Sequence, residues 1–143
     1  VVDSEQKKAT VDCSQIKTEK GKAAGEVYYI TPYVDGISIK KVKDAESTTY
    51  ICTVKVLADT KQTGKEVSVL FDNGNLIRTK EANVLEGPMQ KKQFEYYAIF
   101  IVTDEEMTYF RDNIVMGVQA MDVVQGAESP DTIKKLADCL IQK

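Results

Sequence analysis

The sequence predicts an α+β fold, mainly antiparallel β: a two-layer β-sandwich or open β-roll with one short internal helix and a C-terminal helix. Three observations carry this. β-prone runs with period-two alternation dominate residues 27 to 124. An Asn-Gly pair stands between two of them, where a hairpin would turn. Only two stretches read as helix, too few to cross over between successive parallel strands.

Residues 1 to 25 are rich in Lys, Glu, Gln, Thr and Gly, with isolated apolar positions at Val11 and Ile16, and read as a partly flexible N-terminal arm. Residues 26 to 143 are expected to form one β-rich domain. VYYITPY (27 to 33) is β-prone, and Pro32, unable to donate to a ladder, suits an edge or a strand end. Asp35-Gly36 leads into ISIKKV, where Ile37 and Ile39 alternate with polar neighbours. TYICTVKVL (49 to 57) alternates most clearly, with Tyr50, Cys52, Val54 and Val56 on one face and Ile51, Thr53 and Lys55 on the other. In EVSVLF, Val67, Val69 and Phe71 share a face.

The cluster Asp72-Asn73-Gly74-Asn75 follows, and it reads as a turn because Asn and Gly accept positive φ. It fails as a calcium loop, which needs oxygen ligands at alternating positions around a fixed glycine and a final glutamate. After an irregular stretch through Gly87-Pro88, QFEYYAIFIV (93 to 102) is apolar on both faces, which predicts a central strand covered on both sides. Thr103 and Glu106 make a capping box, and Asp104, Glu105 and Glu106 favour the positive end of a helix dipole, so a helix is expected near 104 to 112. IVMGVQAMDVV (114 to 124) is expected to be one further strand. Ser129-Pro130-Asp131 opens a helix near 130 to 142, whose stripe of Ile133, Leu136, Ala137, Leu140 and Ile141 is expected to cover the second face of the 93 to 102 strand.

Composition narrows function. Nineteen basic and twenty-two acidic residues are interspersed and give a net charge of -3, so no basic stripe awaits nucleic acid. No segment has the apolar length of a transmembrane span. Histidine is absent, which removes the commonest general base and metal ligand. No catalytic, cofactor or metal set stands out. The chain opens on Val1 rather than methionine, which suggests a removed signal peptide and hence an exported protein, periplasmic or at the cell surface.

Three groups of residues remain. Of the three cysteines, Cys52 lies on an apolar strand face and reads as a buried hydrophobe. A Cys13–Cys139 disulfide would anchor the arm to the last helix in an oxidising compartment, although an odd cysteine count leaves the connectivity open. Asp104, Glu105 and Glu106 could serve a carboxylate hydrolase, but capping already accounts for them. Among the tyrosines, Tyr28 and Tyr29 must point to opposite faces of one strand, so Tyr28, Tyr29 and Tyr33 are the ligand candidates.

Three segments, TTYICTVKVLADTKQTGKEVSVLFDNGNLI, FEYYAIFIVTDEEMTYFRDNIVMGV and KKLADCLIQ, together resemble a group of small β-rich proteins that Bacteroidetes-type bacteria export. The shared features are the FDNG hairpin at 71 to 74, the strand-helix-strand segment at 97 to 114, and the final helix with its late cysteine at 133 to 139. The resemblance implies export and a shared fold, and it carries over no site residue. The expected function is therefore a non-enzymatic binding or assembly module of the cell envelope, with a protein or glycan partner and either a monomeric or a dimeric state. A small-ligand or glycan binder using exposed tyrosines is the alternative, and a carboxylate hydrolase the third reading.

Overall fold

The computed structural model describes residues 13–89 and 91–143. In chain order the strands are β1 (Lys17–Lys20), β2 (Val27–Ile30), β3 (Ile37–Lys43), β4 (Thr48–Ala58), β5 (Val67–Phe71), β6 (Leu76–Thr79), β7 (Asn83–Glu86), β8 (Phe94–Val102), β9 (Val115–Ala120) and β10 (Val123–Gly126). They form a six-stranded sheet, β1-β2-β3-β4-β8-β7, and a four-stranded sheet, β10-β9-β5-β6, with every pairing antiparallel. Two helices complete the fold, α1 (Asp104–Asp112) and α2 (Pro130–Gln142).

Alternation sets which side chains reach the core. On β4, Tyr50, Cys52, Val54, Val56 and Ala58 are buried. Register places Cys52 between Ile39 and Phe100, and Val54 between Ile37 and Ala98, so one apolar row runs across three strands. From the other sheet Val67, Val69, Phe71, Ile77, Val115, Val118 and Ala120 join the same core. The sheets therefore bury their inner faces against one another, the arrangement that alternating strands favour.

The Asp-Asn-Gly-Asn cluster turns the chain. Phe71 N donates to Asn75 O at 3.0 Å, Gly74 N donates to Phe71 O at 3.0 Å, and Gly74 takes φ +88°. Gly74 alone in the loop enters the positive-φ region, as in a three-residue hairpin loop that ends on a left-handed glycine. Asp72 Oδ1 accepts from Ile114 N at 3.1 Å and so ties the hairpin to the chain entering β9.

α1 starts as its sequence dictates. Thr103 Oγ1 accepts from Glu106 N at 3.1 Å, and the Glu106 carboxylate accepts from Thr103 N at 3.0 Å, which completes the capping box. Phe110, fully buried, meets Phe71 edge-on with ring centroids 5.1 Å apart. α2 begins with Pro130 in its first turn and buries Ile133, Leu136, Ala137, Cys139 and Leu140.

Four features differ from the sequence expectation. The 114 to 124 segment is a hairpin, β9 to β10, turned at Met121 and Asp122 with Met121 at φ +56°, and its lack of a glycine or asparagine there hides the turn. β7 pairs with β8 where irregular chain was expected. The sheet starts at Lys17, because β1 pairs with β2 in unbroken register; residues 1 to 12 of the expected arm lie outside the described residues.

The fourth difference concerns β8, which is covered on one face only. α2 packs against α1, β3 and β9 on the core side. The outer face of β8 keeps Ile101 at 69% exposure.

A disulfide joins Cys13 to Cys139, with Cα atoms 5.4 Å apart, and so fastens a 3-10 turn (Cys13–Gln15) to α2. Cys52 is free and buried.

Candidate binding surface

The outer face of the six-stranded sheet carries Tyr28, Tyr33 and Tyr97, of which Tyr33 is exposed and the other two are half-buried. Because Tyr28 and Tyr29 are neighbours on β2, they point to opposite sides. Tyr29 packs against the core, whereas Tyr28 lies outside with Lys40 Nζ 4.6 Å from its ring centroid. Of the three tyrosines singled out from sequence, Tyr28 and Tyr33 therefore share the outer surface and Tyr29 does not.

Tyr33 belongs to a tighter cluster. The residue is 49% exposed, and its ring meets that of Tyr97 at a centroid distance of 6.4 Å and an interplanar angle of 60°. Lys55 stands between them, its Nζ 5.9 Å from each ring centroid, within cation-π range. Lys55 and Tyr97 are direct cross-strand partners on β4 and β8, which is why their side chains meet.

Beneath this pair lies Glu95, 2% exposed. The Tyr97 hydroxyl donates to its Oε1, and Lys55 Nζ stands 4.0 Å from its Oε2. The bond to Glu95 is the main reason that the Tyr97 hydroxyl is pushed up to about 12, with burial and the carboxylate's charge adding to it. Gly87 closes the cluster, because a Cβ there would lie 2.8 Å from Glu95 Oε1. The carboxylate is thus a positioning group, out of contact with solvent, that fixes one tyrosine and one lysine.

Around the cluster the face is partly apolar, with Lys40, Ser38 and Asn83 beside Ile51, Thr53 and Ile99. Ile51 pairs with Ile101 and Thr53 with Ile99, while Leu85 on the edge strand lies opposite Tyr97. Together these residues form a shallow platform with two angled rings and one ammonium at its edge.

Sequence reasoning did not single out Tyr97, Lys55 or Glu95. Alternation already put Lys55 on the second face of its strand and Tyr97 on the second face of β8. The missing link was the β4–β8 register, which no local pattern reveals.

The helix-start carboxylates are arranged differently. Asp104 and Glu105 are exposed, and Glu106 is committed to the capping box. Among the described residues no group of three or more Cys, Asp and Glu side chains could hold a metal ion. No helix among them is long and apolar enough to cross a membrane.

Comparison with known proteins gave no matching family model, no matching curated protein and no matching solved structure.

Proposed function

We propose that this chain is a non-enzymatic binding module of the cell envelope that holds a glycan on the outer face of its six-stranded sheet. The observation that carries the reading is the Tyr33–Tyr97–Lys55–Glu95 cluster. Tyrosine rings offer broad apolar faces for the C–H side of a sugar, and Lys55 offers N–H donors to hydroxyl or carboxylate oxygens. Glu95 holds Tyr97 and Lys55 before any ligand arrives, which reduces the ordering cost of binding. Export is supported by the Cys13–Cys139 disulfide, because such a bond persists in oxidising compartments.

Seven tyrosines and no tryptophan make intrinsic fluorescence a direct readout. Titration with a panel of neutral and acidic oligosaccharides should quench or shift tyrosine emission for at least one of them, and Tyr33→Ala should abolish that response. A flat response across the panel from folded protein would overturn the glycan reading. Recovery of the native protein only from the cytoplasmic fraction would overturn the export reading.

A further inference from the structure

The four-stranded sheet also has an outer face, and its shape is different. Leu76, Leu70, Gly117 and Gly126 are successive cross-strand partners, so they form one row across all four strands. Arg78, Ser68, Gln119 and Val124 form the next row on the same face. Facing glycines leave half of the first row without side chains, while Leu70, Leu76, Met116 and Val124 rise around it. The result is a trough of about 550 Å³, within the roughly 300–1,000 Å³ range of small-molecule sites. Its walls are apolar and wet, with Met116 at 56% and Val124 at 73% exposure.

From this geometry we infer a second binding site, independent of the tyrosine platform, for a single-chain amphiphile with a carboxylate head. At Gly117 the group that approaches the backbone is the chain's own, since a Cβ there would lie 2.8 Å from Gln125 O. A Cβ added at Gly126 would meet nothing within 4 Å, so the space above that residue is open. Four strands spaced about 4.8 Å apart make the row roughly 14 Å long, which suits a chain of about a dozen carbons.

The head position follows from Arg78. It stands on edge strand β6, two residues beyond Leu76 on the same face, at the end of the row away from the glycines. Its Nη2 donates to Glu66 Oε1 at 3.0 Å, and among the described residues its side chain makes no other hydrogen bond. The rest of the guanidinium fork can take a carboxylate in two-point contact. A second copy is the competing occupant, since a two-fold pairing can set Leu70 and Leu76 of one molecule over the glycines of the other, and the oligomeric state without ligand separates the two.

The test is titration of the full chain with dodecanoate below its micelle concentration, followed by calorimetry and by amide chemical shifts. Dodecanoate should bind one per chain, shift Gly117 and Gly126, and bind more tightly than dodecyltrimethylammonium. Gly126→Leu should abolish binding while the rest of the amide spectrum stays native, since a Cβ at that position meets nothing within 4 Å and Gly126 is not in the left-handed region. Arg78→Gln should weaken binding about tenfold, the scale of one charge-assisted contact. Tyr33→Ala should change nothing, which separates this site from the platform. Four results would each overturn the inference: no binding of dodecanoate, undiminished binding by folded Gly126→Leu, equal binding of the cationic amphiphile, or association with anionic lipid vesicles alone. A stable dimer that protects Leu70 and Val124 without ligand would overturn it in favour of a second copy.

Discussion

Lys41 Nζ donates to the main-chain carbonyls of Leu140 and Ile141, at 3.2 and 3.0 Å. The residue occupies the inward phase of β3 together with Ile37 and Ile39, and only 4% of it is exposed. The last carbonyls of a helix lack intrahelical partners and carry the negative end of its dipole, so a buried ammonium is well placed there. Lys41 also lies 5.6 Å from the ring centroid of Tyr50, its cross-strand partner.

Replacing it should expose that dependence. Lys41→Met keeps the apolar stem and removes the donors, and should cost about 1–3 kcal/mol, read as a lower denaturant midpoint at unchanged slope. Burial, then the charge of Lys43, pushes the Lys41 ammonium below its ordinary 10.5, and Asp104 opposes the shift. The unfolded chain therefore binds this proton more tightly, so wild-type stability relative to Lys41→Met should rise as pH climbs toward 10.5. A difference that stays constant with pH would contradict this.

The disulfide closes a long loop, with 126 residues of sequence separation between Cys13 and Cys139. Reduction, or Cys139→Ser, should lower stability by about 5 kcal/mol on the chain-entropy argument, as measured by chemical unfolding with and without reductant. Of three cysteines two are bonded, which leaves Cys52, whose thiol burial pushes well above its ordinary value. Alkylation of unreduced protein should label nothing in the native state and Cys52 alone after denaturation. Labelling of Cys13 or Cys139 in that second sample would refute the bond.

Tyr97 should ionise late. Its hydroxyl is raised from 10.0 to about 12, chiefly by the bond to Glu95. A raised tyrosine contributes stability that is present below about pH 10 and is lost as pH rises to about 12. Tyrosinate absorbance compared with that of Tyr97→Phe isolates this group. In Glu95→Ala its midpoint should fall back toward 10.0, and an unmoved midpoint would remove Glu95 as the cause.

Two glycines with similar backbone angles should respond differently to the same change. Gly74 has φ +88° and open space where a Cβ would go, whereas Gly36 has φ +79° and would place that atom 2.5 Å from Lys55 O. Gly74→Ala should cost about 1 kcal/mol and Gly36→Ala about 2 kcal/mol or more, since β4 must also move. Unfolding midpoints of the two variants make the comparison, and equal midpoints would contradict it.

Local signals predicted both helices and the principal strands because each carries its own physics. The Thr103–Glu106 box, Pro130 in its first turn and the alternation of β4 need no distant partner. What escaped depends on partners far along the chain. Tyr97, Ile99 and Ile101 make β8 apolar on both sides, a pattern shared by a doubly covered strand and by one whose outer face is open for binding. The β9–β10 turn at Met121 lacks the residues that announce a turn. Lys41 reads as a solvated lysine until α2 is placed over it, and the tyrosine cluster exists only once β4 and β8 are in register.

The Cys13–Cys139 bond makes the polypeptide between them a covalent ring, and every strand of both sheets lies within it. A protease that nicks the exposed stretch around Lys61 to Lys65 therefore severs the backbone without releasing a piece. Such a nicked molecule would run at full length on a gel until reductant parted the fragments. One covalent link thus guards the connectedness of a chain whose strands are otherwise joined only by hydrogen bonds and packing.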